Sequence, residues 1–263
     1  MNKPRTRLAT DAALDHGAQV TLTGNAAHYL AHVLRLGAGD AVALFNRTQG
    51  EWHATIDAVR KKEVTLAVGR CLRAPDTGGA ALTVCFAPLK GGRMETVIEK
   101  ATELGARVLQ PVITRRSVVD KVNLARAMAI AREAAEQCER IDWPEIREPV
   151  KLPDLLGDWP ADMPLVYGDE SGNSDSMAAV LNNHAASSSA LATPPRWAVL
   201  TGPEGGFAPD ELAALARVKP AIGVGLGPRI LRADTAVITL CALTMQRWGD
   251  WHQRPRFTFD GEA

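Results

Sequence analysis

The sequence predicts an α/β protein in which a small β-barrel precedes a larger, mostly parallel sheet with helices on its faces. Three observations carry this. Short apolar runs with rough alternation fill residues 1–73. From Ala81 strand-like and helical runs alternate. Between Trp197 and Met245 two strand-loop-helix units follow one another, each with a glycine-rich loop.

In the first 73 residues, strands are expected at Val20–Leu22, Ala41–Phe45, Trp52–Val59 and Val64–Cys71, with turns at Gly37–Asp40 and Asn46–Gly50. One helix is expected over Ala26–Leu36, where Ala27, Leu30, Ala31 and Leu34 share a face. Residues 74–79, with one Pro and two Gly, read as a linker. In residues 80–250, Leu82–Ala87 and Arg107–Val112 are strand-like, Arg93–Leu104 and Asn123–Arg140 helical, and Leu165–Tyr167 and Trp197–Leu200 further strands. Residues 171–195, polar and low in complexity, read as a flexible insertion without chemistry, and residues 251–263 as a tail.

Composition excludes little. The 263 residues suffice for one or two cores. Lys and Arg number 30, as do Asp and Glu, so nucleic-acid binding must rest on local clusters. The four cysteines form no C-x-x-C pair, the N-terminus has no secretory apolar region, and no apolar run is long enough for a membrane span. A soluble cytoplasmic protein is expected. His28 and His32 are four apart on one helix but lack a third ligand nearby, so no metal is expected.

The two loops carry the chemistry. Ala198–Leu200 feeds Gly202-Pro-Glu-Gly-Gly206, and Ala221–Val224 feeds Gly225-Leu-Gly-Pro-Arg-Ile-Leu-Arg-Ala-Asp-Thr-Ala236. Such loops at the carboxyl ends of parallel strands are where open α/β sheets bind ligands. Gly202, Gly205 and Gly206 let a ligand approach the backbone, and Pro209, Asp210 and Glu211 suit a helix start. Both common phosphate fingerprints are missing, so a different nucleotide-like ligand is expected. An ordinary tight strand-to-helix turn is the structural alternative.

The segments GPEGGFAPDEL, GLGPRILRADTA, KGGRMETVIEKATELGA and AHYLAHVLRLGAGD, in order and at family-like spacing from Pro4 to about Trp248, resemble the RsmE family of the SPOUT superfamily. The resemblance implies S-adenosylmethionine-dependent methylation of N3 of one specific uridine in 16S rRNA, within the assembled small subunit. It also implies a PUA-like barrel, a trefoil-knotted α/β cofactor domain, and a homodimer with active-site groups from both subunits. The chain departs from the family pattern at Ala233-Asp234, where Thr and Glu are usual, at Cys138-Glu139-Arg140, where Ser-Gly-Arg is usual, and at Thr6-Arg7, where an aromatic pair is usual.

On this reading Thr201, Gly202, Glu204 and Gly205 of the first loop bind the cofactor, with Gly225, Leu226 and Gly227 of the second. Leu200, Leu226, Ile230 and Leu231 sandwich the adenine, and Arg232, Thr235 and Ala236 complete the site. A solvated carboxylate is the alternative for Glu204. Arg229 and Arg232 stabilise charge developing on the uracil oxygens, and Asp234 orients one of them or takes the N3 proton. A structural Arg232–Asp234 ion pair is the competing reading. RNA contacts are expected from Arg5, Arg7, Arg35, Lys90, Arg93, Arg115 and Arg116, with Lys3 beside them; Arg60-Lys61-Lys62 reads as a solvated hairpin tip. Two alternatives stand: the same fold acting on a ribose oxygen or tRNA base, and a non-catalytic rRNA-binding assembly factor.

Overall fold

The computed structural model describes residues 2–75, 81–181 and 196–253. The expected linker falls mostly outside that range, as do residues 182–195 and the tail beyond residue 253. The chain divides into two compact units: residues 1–77 with 131–143, and residues 78–130 with 144–263. Residues 131–143, which the sequence pattern groups with the second domain, therefore cluster with the first.

The first unit is a five-stranded sheet in the order β1-β3-β4-β5-β2. Its strands are β1 (Arg7–Ala9), β2 (Gln19–Thr23), β3 (Ala41–Asn46), β4 (Gly50–Val59) and β5 (Glu63–Arg73). β1 pairs parallel with β3 and the other pairings are antiparallel. Register shifts along β4 at Glu51/Trp52, Trp52/Ala54 and Ile56/Ala58 are the bulges that bend such a sheet around its core. Helix α1 (Gly24–His28) runs on into a π-turn (Tyr29–Val33) and seats Ala27 and Leu30 in a core with Leu8, Val42, Leu44, Ile56 and Leu66. The helix stops short of the expected Leu36, and Arg35 takes φ 55°. β1, three residues long, escaped the periodicity.

The second unit is a parallel sheet in the order β12-β10-β11-β6-β7-β8, with β9 also on β7. The strands are β6 (Ala81–Phe86), β7 (Val108–Ile113), β8 (Glu145–Ile146), β9 (Val150–Lys151), β10 (Leu165–Gly168), β11 (Arg196–Thr201) and β12 (Ala221–Val224). The central strands are near-continuous apolar runs, as expected where both faces are covered. One face packs on α4 (Leu152–Gly157) and α5 (Pro209–Arg217) through Leu152, Leu215, Leu165, Ala198 and Leu200. The other carries α6 (Ala233–Trp248), whose Trp248 ring meets Trp197 edge-on at 5.7 Å. α2 (Gly92–Glu103) packs beside α6, and α3 (Leu124–Gln137) begins in this unit.

Register places the site. Tyr167 lies opposite both Leu200 and Gly223, and Gly168 opposite Val224. The carboxyl ends of β10, β11 and β12 therefore lie side by side, and the three chains that leave them share one edge of the sheet.

Candidate active site

A cleft of about 710 Å³ opens at that edge, within the range of roughly 300–1,000 Å³ usual for small-molecule sites. Three loops line it. Thr201, Gly202, Glu204 and Gly206 belong to the first, and Gly225–Ala233 with Ala236 to the second. The third, Asp169–Gly172 after β10, runs into the polar stretch that reads as an insertion. That reading needs correcting for residues 171–181. Ser176 bridges to Gly225, residues 177–181 are helical, and Met177, Val180 and Leu181 are buried.

Several glycines are required by what lies against them. Gly206 has φ 67°, and a Cβ there would overlap the Glu170 carboxylate. A Cβ at Gly223 would meet the Ser174 hydroxyl at 2.5 Å and the Tyr167 ring at 3.0 Å. Third-loop side chains thus occupy the space these glycines vacate. Asp169 fixes that loop by accepting from the Ser171 N–H (2.9 Å) and from the Ser171 (3.0 Å) and Ser174 (2.6 Å) hydroxyls. Burial opposes its ionisation, but these donors outweigh it and hold the carboxyl below its ordinary range. Burial, aided by the charge on Asp169, pushes the Tyr167 phenol up.

The cleft offers unmet hydrogen-bonding capacity on apolar walls. The Thr201 hydroxyl is buried without a partner among the described residues, on a residue 3% exposed. A buried orphan hydroxyl costs about 1–3 kcal/mol unless a bound group completes it. Along the second loop, the N–H groups of Leu226, Gly227 and Leu231 donate to no acceptor among the described residues. Val224, Leu226, Leu231 and Ala236 supply apolar surface. This combination fits an adenine-bearing ligand, whose ring needs apolar faces and whose edges need backbone donors and acceptors.

Not every expected cofactor residue faces the cleft. Leu200 is fully buried and points into the opposite core with Leu165 and Leu215, because alternation along β11 gives the cleft to Thr201 instead. Gly205 and Thr235 lie outside the lining as well. Gly205 rests on the Arg116 stem, and Thr235, exposed, gives its N–H to Asp234 and its carbonyl to the Thr239 hydroxyl. Ile230 reaches the cleft rim but is 86% exposed, so within this chain it sandwiches nothing.

Among the described residues, the side chains of Arg229 and Arg232 have no hydrogen-bond or ion-pair partner, and both are exposed at the rim. The structural Arg232–Asp234 pair is thus not formed. Asp234 instead accepts the Thr235 N–H at 3.0 Å in the first turn of α6, where a carboxylate suits the helix dipole. Glu204 is paired with Arg93 at 2.9 Å, so each of these two expected contacts already satisfies the other.

The remaining basic residues separate sharply. Arg5 is 68% exposed, its nearest carboxylate being Asp40 at 3.9 Å, and Arg35 and Lys90 are exposed. Arg7 is not available to RNA: its side chain is 14% exposed, stacks on Phe45, pairs with Glu51, and donates to the carbonyls of Ala135, Glu136 and Arg140. Arg115 pairs with Asp210, and Arg116 donates to the carbonyls of Gly205 and Phe207.

Among the described residues no group of three metal-ligating side chains converges, and no helix is long and apolar enough to cross a membrane.

Residues 78–245 match the model of an RNA methyltransferase domain, and residues 22–68 that of an RNA methyltransferase PUA domain. The ribosomal RNA small subunit methyltransferase E of Rickettsia conorii is 33% identical over 215 residues, covering 82% of this chain and 84% of that one. This protein belongs to that family. The Bacillus subtilis member is 28% identical over 248 residues, 90% of this chain and 94% of its own. A Legionella pneumophila methyltransferase structure, described with its cofactor S-adenosylmethionine bound, superposes with a TM-score of 0.80 at 28% identity, covering 93% and 98% of the two chains. A Neisseria gonorrhoeae member shares the fold with a TM-score of 0.79 at 24% identity, covering 94% and 99%. This family member is an rRNA methyltransferase dependent on S-adenosylmethionine, and the second unit carries its RNA methyltransferase domain.

Proposed function

We propose that this protein methylates N3 of one uridine in 16S rRNA, on the assembled small subunit, as a cytoplasmic homodimer. The observation that carries the reading is the pair of unpartnered, exposed arginines, Arg229 and Arg232, on the same loop that walls the cleft. When bound, S-adenosylmethionine supplies an electrophilic methyl group on a sulfonium centre.

Uridine N3 sits on the Watson–Crick edge, so the base must be unpaired or extruded to reach the cleft. Loss of the N3 proton leaves negative charge on O2 and O4. Arg229 and Arg232 stabilise that charge with their guanidinium donors. Asp234, with one oxygen on the Thr235 N–H, orients an arginine or receives the proton through the other. Residues of Thr201–Gly206 and Gly225–Leu231 orient the donor for in-line attack. The nitrogen needs no covalent adduct. Consistent with that, burial pushes the thiols of both cysteines of the second unit, Cys85 and Cys241, up to about 12, out of nucleophilic range. RNA is gripped by exposed basic groups of the first unit, Arg5 and Arg35, with Lys90 and the cleft-rim arginines of the second. The knotted path and the shared, two-subunit active site belong to this proposal too.

The test is nucleoside mass spectrometry of 16S rRNA after purified small subunits from a deletion strain are incubated with the enzyme and donor. Appearance of 3-methyluridine is the expected result. A methyl on a ribose oxygen or on another base would overturn the assignment.

A further inference from the structure

The first glycine loop is held by a side chain that sequence reasoning assigns to RNA. Arg116, just after β7, donates from Nη1 to the carbonyl oxygens of Gly205 (2.7 Å) and Phe207 (3.2 Å). Its stem lies along Gly205, where a Cβ would sit 3.5 Å from Arg116 Cβ and Cδ. Fixing those two carbonyls fixes the peptide planes that follow them. The N–H of the first, Gly206, closes the turn onto the Pro203 carbonyl at 2.9 Å. The N–H of the second, Ala208, meets Glu211 Oε2 at 2.8 Å.

The neighbouring residue closes the same junction from the other side. The Arg115 N–H donates to Glu211 Oε1 at 2.8 Å, and the Arg115 side chain pairs with Asp210 at 2.9 Å. Glu211 is 6% exposed and holds two backbone N–H groups, one from each segment. The turn after β7 and the start of α5 are thereby tied together, with the donor loop between them.

We propose that Arg116 is a positioning residue for the methyl donor, acting through the Gly202–Phe207 loop rather than on the RNA phosphates. This rests on the reading of the cleft as the donor site. Both bonds leave one nitrogen, Nη1, which stands one bond farther from the backbone than a lysine Nζ, so an ammonium falls short of the two carbonyls, whereas a phosphate contact can shift toward the charge and largely survives. The two roles therefore separate on one conservative substitution.

Calorimetric titration with S-adenosylmethionine, alongside binding to purified small ribosomal subunits at several salt concentrations, decides the matter for Arg116→Lys and Arg116→Met. Both variants are expected to bind the donor about tenfold more weakly, equivalent to about 1.4 kcal/mol. The salt dependence of subunit binding is expected to stay at the wild-type value. Donor affinity unchanged in both variants overturns the proposal. So does full rescue by Lys, or a weakened, less salt-dependent grip on the subunit with donor binding intact. Wild-type protein that fails to bind the donor would overturn it together with the reading of the cleft; loss only in the variants would not touch that reading. Should Arg116→Met fail to fold, Arg116→Lys alone carries the test.

Discussion

In the first unit Arg7 and Arg73 converge on one carboxylate, Glu51, which is only 7% exposed. Their remaining donors reach the carbonyls of Ala135, Glu136, Glu139 and Arg140, where α3 ends. In the second unit Arg229 and Arg232 stand exposed on a loop, with no partner among the described residues. The same side chain does opposite work in the two places. Around Glu51 one carboxylate offsets one of the two guanidinium charges and the negative end of a helix faces the pair, which is a folding device. At the cleft the charges are left open, a cost in self-repulsion that only an anionic partner would offset.

The largest effect should come from breaking the first arrangement. Glu51→Ala leaves two largely buried guanidinium groups unpaired, and removing one member of a buried ion pair costs about 3–5 kcal/mol. Urea unfolding followed by fluorescence should show that loss. A cost below about 1 kcal/mol would mean that the helix-end carbonyls alone satisfy the two arginines. The mirror experiment is Arg232→Ala. Here kcat should fall about 10²- to 10³-fold, as when one oxyanion-stabilising donor is removed. Stability should stay within about 0.5 kcal/mol of wild type, as for surface changes generally. Activity near wild type in this variant, with its fold intact, would take Arg232 out of the mechanism.

How legible these two places were in the sequence differs for a physical reason. Gly202–Gly206 and Gly225–Ala236 read as ligand loops because their glycines, prolines and flanking apolar strands are local. Arg7 reads as an RNA contact because its partner Glu51 lies 44 residues away and its α3 contacts lie more than 120 residues away. Nothing in the neighbourhood of Arg7 announces them. The third loop was hidden in the same way. Asp169–Gly172 is short and polar, and it joins the site only because the parallel register sets Gly168 beside Val224. Leu200 was misjudged by one position, since strand alternation decides which of Leu200 and Thr201 meets the cleft. Period two along β11 keeps Thr201, which the sequence already singles out, and removes Leu200.

The third loop also gives the smallest predicted effect and a pH signature that separates it from the arginines. Asp169 is held below its ordinary range, against the opposing influence of its burial, by the Ser174 hydroxyl and by the N–H and hydroxyl of Ser171. A carboxyl whose folded pKa is depressed contributes stability that is fully present above its unfolded pKa, about 3.9. That contribution is lost as pH falls further, through the folded value. Asp169→Asn should therefore cost about 1 kcal/mol from pH 5 to pH 8. Below about pH 4 the gap to wild type should shrink as the native carboxyl itself protonates. The arginine arrangements keep their guanidinium charge throughout this range, so Arg232→Ala should show no such convergence. Urea midpoints for wild type and both variants, taken in steps from pH 8 to pH 3, would show it. A gap between wild type and Asp169→Asn that stays constant or widens toward low pH would mean that the Asp169 carboxylate does not hold the third loop in place.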